Sequence, residues 1–355
     1  MKKRTGAKKT VRDIRIVCAR TALSLLFRPL EQQPRFSGPL KSAILFCQEK
    51  LGDAILFTPL IANLRRACPD CSITVLAFGT PAARFISTDR EVTAVYNVKE
   101  NRAALYRAIG KQRFDLLYSP KDHLSFSAIF YARMLRARIR VGVDHPLHRG
   151  FFNHLLRLEF HRPVIEKNCA LLGYLGIGFT KEQCAPRLPP HPPSCEVQSF
   201  LGSTNLNGAI GINLSAGEPD REWSLDKWSA LIKALDRKVV VFSMPQRQAD
   251  KRKLETAIPQ VIPTPATVTI FDAAAIIARL DLLISPDTSL IHAAACVDTP
   301  VVGMYRADKD HYARFSPYLI PHRMVISDTY LIENIPVDQV FREAANLLAE
   351  QKNNG

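Results

Sequence analysis

From about residue 42 onward, two kinds of hydrophobic pattern alternate along the chain. Short continuous apolar runs fall at Ser42–Gln48, Ser72–Phe78, Ala94–Val98, Phe114–Ser119 and Arg138–Val143. Between them, at Asp53–Ala67, Pro81–Ser87, Arg102–Gln112 and Ser125–Leu135, the apolar positions follow helical spacing. A strand without polar alternation is buried on both faces, as in parallel sheets, and the intervening helices supply the crossovers. Residues 41–185 are therefore predicted to form one doubly wound α/β domain. Five prolines in Pro186–Pro193 then interrupt any regular structure, so 186–195 reads as a linker. The alternation restarts over 196–335, with strands predicted at Ala209–Ser215, Lys238–Met244, Asp281–Ser285 and Pro300–Tyr305. Helices are expected there at Leu225–Leu235, Gln248–Ala257, Phe271–Leu280 and Ser289–Cys296. A closing helix from Val337 to about Gln351, within 336–355, follows Pro336 and packs across one domain or bridges both. Two Rossmann-like domains facing each other across a cleft would bind ligands beyond the carboxyl ends of their strands.

Composition supports two cores: 355 residues with 47% hydrophobic content exclude a disordered, collagen-like or transmembrane chain. The net charge of +15 raises the question of an acidic partner. Residues 1–40 hold ten Lys/Arg against Asp13 and Glu31, a net of +8, so the excess sits in an N-terminal arm rather than in stripes over the body. Its apolar positions Ile14, Ile16, Val17, Leu23, Leu25, Leu26 and Phe27 are broken by Arg15 and Arg20 and closed by Arg28-Pro29. That is too short to span a bilayer and offers no signal-peptide cleavage site, so the protein is expected to begin at Met1 in the cytoplasm. The arm is either a basic amphipathic helix lying on anionic lipid or a helix packed on the body. Among eight scattered cysteines, Cys68-Pro-Asp-Cys71 is a CxxC that ends a helical pattern. Redox motifs open a helix, where the dipole lowers the thiol pKa, so these cysteines read as structural.

Three strand-loop-helix junctions carry the candidate chemistry. In Gln48–Pro59, Gly52 permits a tight turn and Asp53 lies at or near the helix N-cap, where it either caps the helix or takes a proton from an incoming hydroxyl. In Leu283–Ala295, Asp287, Thr288 and Ser289 open a helix whose free N–H groups and hydroxyls suit phosphate. His292 lies one turn further on, either packed or within reach of ligand oxygens. In Ile212–Trp228, Ser215, Ala216 and Gly217 allow close approach of a ligand, and Arg221 offers a planar cation for phosphate oxygens. Trp223 and Trp228 flank the next helix start.

Taken together and in order, these segments resemble glycosyltransferase family 9, the lipopolysaccharide heptosyltransferases. Gly52-Asp53, Ser215-Ala-Gly217 with Arg221-Glu-Trp223, and Asp287-Thr-Ser-Leu-Ile-His292 stand where the family carries Gly-Asp, a small-residue loop with Lys/Arg-x-Trp, and Asp-Thr-x-x-x-His. The resemblance spans roughly residues 42–350. It implies an α/β GT-B fold and an inverting, metal-independent transfer without a cofactor, typically of heptose from ADP-heptose onto the lipopolysaccharide core, at the inner face of the cytoplasmic membrane. It makes Asp53 the general base. Arg221 and the Asp287-Thr288-Ser289 helix start would hold the leaving pyrophosphate in place of a metal, with Asp287 accepting from sugar hydroxyls. Ser215, Gly217 and His292 join them in the donor site. The segment Tyr118–Ser125, with Lys121 and His123, would face the acceptor.

The sequence departs from the family at Ser289, where Gly is usual, at Arg221, where Lys is usual, and at Arg306-Ala307-Asp308, which replaces Gly-Pro-Thr after the last strand. The later Lys and the acidic strand end of many heptosyltransferases are also missing from Tyr118–Ser125. Asp308-Lys-Asp310 is formally a DxD metal motif, but it follows the last strand of the second domain. No GxGxxG or GxxxxGK[ST] is present, which argues against dehydrogenase or P-loop chemistry. Three other readings remain at this level: transfer from another nucleotide sugar or to another acceptor, a nucleotide-sugar epimerase, which would need added cleft carboxylates, and a non-catalytic basic nucleic-acid binder, whose affinity would fall steeply with salt.

Overall fold

The continuous apolar runs pair side by side as parallel strands. In the computed structural model, which describes residues 18, 20–100, 102–123 and 125–354, the chain divides into two units. The first runs to Arg162 and includes Glu166–Thr180; the second comprises Pro163–Ile165 and the chain from Lys181. The division thus falls just ahead of the proline-rich run.

The first sheet contains β1 (Ser42–Cys47), β2 (Ser72–Ala77), β3 (Ala94–Asn97), β4 (Arg113–Ser119), β5 (Arg136–Val143) and β6 (His154–Leu156), in the order β3-β2-β1-β4-β5-β6. The second contains β7 (Ile210–Asn213), β8 (Val239–Phe242), β9 (Val261–Ile262), β10 (Leu282–Pro286), β11 (Val301–Tyr305) and β12 (His322–Ile326), in the order β12-β11-β10-β7-β8-β9. Numbered from its own first strand, each sheet has the same Rossmann order, with the reversal between its first and fourth strands. Ligands of open α/β sheets bind at that reversal, beyond the carboxyl ends of the two strands. Here those ends are Cys47 and Ser119 in one unit, Asn213 and Pro286 in the other.

Around the first sheet lie helices α1 (Leu51–Ile55), α2 (Thr58–Ala67), α3 (Thr80–Ile86), α4 (Arg102–Ile109) and α5 (Phe126–Met134), with α6 (Val164–Leu175) following β6. The single helix expected over Asp53–Ala67 is two. Pro59 has no N–H to continue the ladder, and the Thr58 hydroxyl donates to the Ile55 carbonyl at 2.8 Å instead. Gly52 lies inside α1 and does not make the turn expected of it. The glycine on which this corner depends is Gly79, at the N-cap of α3: a Cβ there would sit 2.2 Å from the Glu49 carbonyl oxygen.

Residues beyond position 20 of the predicted arm belong to the first unit. In the helical stretch 20–26, Leu23 is fully buried in the core with Ile44, Phe46 and Phe78. Phe27 meets Phe130 edge-on, the Leu30 N–H donates to the Gly150 carbonyl at 2.7 Å, and Arg35 Nε donates to the Tyr174 carbonyl at 2.7 Å. In this stretch Leu23 and Phe27 pack on the body, while Leu25 and Leu26 stay exposed. Most of the arm's positive charge lies outside the described residues.

The second unit adds α7 (Cys195–Ser203), α8 (Leu225–Leu235), α9 (Gln248–Ala257), α10 (Ile270–Ile277), α11 (Ser289–Ala295), α12 (Lys309–Phe315) and α13 (Val337–Asn354). Trp223 and Trp228 are both buried and meet edge-to-face at 4.8 Å. Val340, Ala344 and Leu347 of α13 join the same core, so the closing helix packs on this unit.

Candidate functional site

Asp53 occupies the third position of α1, one turn past the N-cap residue Lys50, whose N–H it accepts at 3.1 Å. It is therefore not the N-cap residue; it satisfies a free N–H from inside the helix. The side chain is half-buried, and burial raises its pKa above the ordinary carboxylate range even though Lys50, Lys121 and His123 pull it down. The result is a carboxylate more basic than a surface aspartate, at the end of the first sheet's central strand.

Beyond the neighbouring strand end stands Lys121, only 2% exposed. Its ammonium lies 3.7 Å from Glu49 Oε1 and 4.4 Å from the centre of the Phe78 ring. Burial lowers its pKa, and Glu49 and Asp53 oppose that. Asp122 is buried against the Lys167 ammonium, which also donates to the Phe160 carbonyl. His123, half-exposed, approaches the other Asp122 oxygen at 3.4 Å. Asp53, Lys121 and His123 thus share one corner. Glu49 and Asp122 also belong to this corner, and their lysine partners Lys121 and Lys167 lie far from them in the chain, so no local motif marks those ion pairs.

In the second unit, Arg221 is 7% exposed. Its Nη1 donates to the Asp287 carbonyl at 3.0 Å and lies 3.3 Å from Asp287 Oδ2, while Nη2 is 3.7 Å from Glu218 Oε1. Asp287 Oδ2 also meets His311 Nδ1 at 2.9 Å. Burial alone would raise the Asp287 pKa, but His311 and Arg221 outweigh it and hold the carboxylate low. His311, on α12, had no motif to announce it.

Thr288, not Asp287, is the N-cap of α11. Its hydroxyl accepts from Asn213 Nδ2 at 3.0 Å and from the Leu290 N–H at 3.3 Å, and contacts Ser285 Oγ at 3.2 Å. Ser285 Oγ also donates to the Pro286 carbonyl at 2.7 Å and accepts from Asn213 Nδ2 at 3.0 Å. The hydroxyl expected to donate to phosphate is therefore engaged in tying β7 to β10. Ser289 is the first residue of α11 and half-buried. His292 is buried with Nδ1 unpartnered, and burial lowers its pKa to about 4, which keeps the ring neutral at pH 7. Ser215 Oγ accepts from the Met244 N–H at 2.7 Å. Gly217 is exposed, with open space where a side chain would project. Asp308 of the DxD-like segment lies 3.5 Å from Arg306.

These candidates converge on the two switch points, and comparison with known proteins gives them a chemical context. Residues 102–331 match the description Glycosyltransferase family 9 (heptosyltransferase). The chain belongs to this family. The matched span holds every second-unit candidate together with Lys121 and His123, and begins beyond Asp53. Lipopolysaccharide heptosyltransferase 3 of Escherichia coli is 26% identical to this family 9 enzyme over 284 residues, 73% of this chain and 82% of that protein. The lipopolysaccharide core heptosyltransferase OpsX of Haemophilus influenzae is 20% identical over 289 residues, 77% of this chain and 81% of that one. Among solved structures, the family 9 glycosyl transferase of Veillonella parvula superposes with a TM-score of 0.69 at 19% identity, covering 90% of this chain and 100% of that one. E. coli heptosyltransferase WaaC with ADP gives 0.64 at 17% identity, covering 87% and 99%. The family 9 enzyme is thus a glycosyltransferase with the GT-B type of two-sheet α/β fold.

Proposed function

We propose that this family 9 enzyme transfers heptose from ADP-heptose onto the lipopolysaccharide core, with inversion at the anomeric carbon and without a metal. The observation that carries this reading is Asp53, a carboxylate whose basicity is raised by burial at the first sheet's switch point. In this mechanism Asp53 accepts the proton of the acceptor hydroxyl as its oxygen attacks the anomeric carbon, and the sugar–phosphate bond breaks on the opposite side. The second unit carries the donor. Arg221 meets the charge that develops on the departing diphosphate, a role suited to its planar fork. The names of the relatives, including the ADP-bound E. coli structure, favour ADP-heptose over other donors. Incubation with a heptose-deficient core acceptor and ADP-, UDP- or GDP-sugars should give a product heavier by one heptose from ADP-heptose alone. Transfer only from a UDP- or GDP-sugar would overturn the donor assignment.

The acceptor is an amphiphile, and the first unit has a feature that suits contact with a membrane. Among the described residues no helix is long and apolar enough to cross a membrane. Leu25 and Leu26 are 84% and 63% exposed on the stretch anchored by buried Leu23, between Arg20 and Arg28. Cations beside anionic lipid contribute about 1 kcal/mol each, and a buried leucine up to about 3. Leu25→Glu with Leu26→Glu is expected to weaken binding to phosphatidylglycerol vesicles by more than about tenfold. Turnover of a short water-soluble acceptor should be unchanged. Equal sedimentation of both proteins would place the membrane contact elsewhere. A truncation for this purpose must stop before Leu23, because losing that side chain would open the core.

A further inference from the structure

Arg306 follows β11 directly, at the point where the chain departs from the family's Gly-Pro-Thr. Its side chain is only 11% exposed, and three carboxylates surround it. Nη1 pairs with Asp220 and lies 3.6 Å from Glu218 Oε2, while Nη2 lies 3.5 Å from Asp308 Oδ2. The flat face of the guanidinium stacks on Tyr330 at 4.2 Å. Glu218 is the link to the site, since its other oxygen, Oε1, lies 3.7 Å from Arg221 Nη2. The short helical turn Pro219–Arg221 therefore has Arg221 at one end and, through Asp220 and Glu218, Arg306 behind it.

Charge makes this arrangement consequential. Arg221 and Arg306 face four carboxylates, those of Glu218, Asp220, Asp287 and Asp308. Asp287 is also met by His311, so the carboxylates beside Arg221 that depend most on Arg306 are Glu218 and Asp220. Without Arg306, Asp220 and Glu218 lose a cation beside them, and the contact of Glu218 with Arg221 competes more strongly with the ligand.

We propose that Arg306 is a positioning residue for donor binding: by sharing Glu218 with Arg221 and pairing with Asp220, it offsets the carboxylates of the 218–221 turn and leaves more of the Arg221 charge to the diphosphate. This rests on the reading that Arg221 binds the diphosphate. Arg306 itself makes no phosphate contact in this scheme and works through the 218–221 turn.

The test is a double-mutant cycle on the intact protein, read by calorimetric titration with the tightest binder among ADP, UDP and GDP. Arg306→Met should weaken binding by about tenfold, the scale of one charge-assisted contact. In an Arg221→Ala background the same substitution should change affinity less than about twofold, because the group it acts through is gone. Adding Asp220→Asn to Arg306→Met should restore most of the lost affinity, whereas a general packing defect would not be repaired by removing a charge. Arg306→Lys, which keeps the charge without the planar fork, should fall between. In steady state the loss should appear in the donor KM and leave kcat near the parent value. Equal losses with and without Arg221 would make Arg306 a direct ligand and overturn the proposal, as would unchanged affinity in Arg306→Met. If none of the three nucleotides binds, or if Arg221→Ala binds like the parent, the donor-site reading itself fails and this inference falls with it.

Discussion

Asp53→Asn is expected to lower kcat by about two to four orders of magnitude, the usual worth of a general base. The amide keeps an oxygen that can accept the Lys50 N–H, so α1 should stay capped and the fold intact. Nucleotide affinity should change little, because the donor candidates belong to the other unit. The pH profile supplies a second check. A base works only when deprotonated, so activity falls as pH drops through its pKa, and burial has moved that pKa above the ordinary aspartate value. The acid limb of kcat/KM should therefore lie at higher pH than an exposed aspartate would give. Lys121→Met should move it higher still, since the Lys121 charge lowers the Asp53 pKa. Turnover of the Asn variant within a few-fold of the parent would reduce Asp53 to a helix-capping group.

Arg221→Ala is expected to act on both binding and stability. Removing a charge-assisted donor to the diphosphate should cost about 1.5–3 kcal/mol of nucleotide affinity. It also strips one cation from Asp287, and breaking a buried ion pair costs on the order of 3–5 kcal/mol, reduced here because His311 stays at 2.9 Å. The sign of the pH dependence follows from the native Asp287 pKa, which is depressed. Such a group contributes stability above its unfolded value, about 3.9, and the contribution is lost as pH falls through the native value. The gap in melting temperature between parent and variant should be wide at pH 7 and narrow below about pH 4. A gap of the same size in acid would mean that the loss is one of packing.

The sequence announced what depends on neighbouring residues. Continuous runs such as Ile73–Leu76 mark central strands because both faces are covered, and the loops after β1, β7 and β10 stood out because small and polar residues follow such runs. Of the edge strands β3 was read, but β6, β9 and β12 were missed for the opposite reason. His322–Ile326 starts with His and Arg, because a strand at the rim has solvent beside it. Helix α7 was hidden by the prolines before it; Ser194, capping it by accepting from the Val197 N–H, was the available signal. Within the site, Asp53, Arg221 and Asp287 were legible from local motifs. The roles of Glu49, His311 and Arg306 are fixed only by tertiary pairing. Thr288 was legible as a helix start, but the Asn213 amide that occupies its hydroxyl lies 75 residues earlier in the chain.

The strand order also bears on how the protein folds. Neighbouring strands β1 and β2 pair Ser42 with Ser72, whereas across the switch point β1 and β4 pair Ala43 with Leu116, and β7 and β10 pair Ile210 with Leu282. Closing a loop of about 73 residues rather than about 30 costs roughly 0.8 kcal/mol more in chain entropy. The pairings that create each crevice are therefore among the longest-range in their sheets, and contacts of that kind slow folding. The crevices should close late, after the flanking β1–β2 and β7–β8 pairs, so a nascent chain would have native-like flanks in each unit before it has a binding site in either.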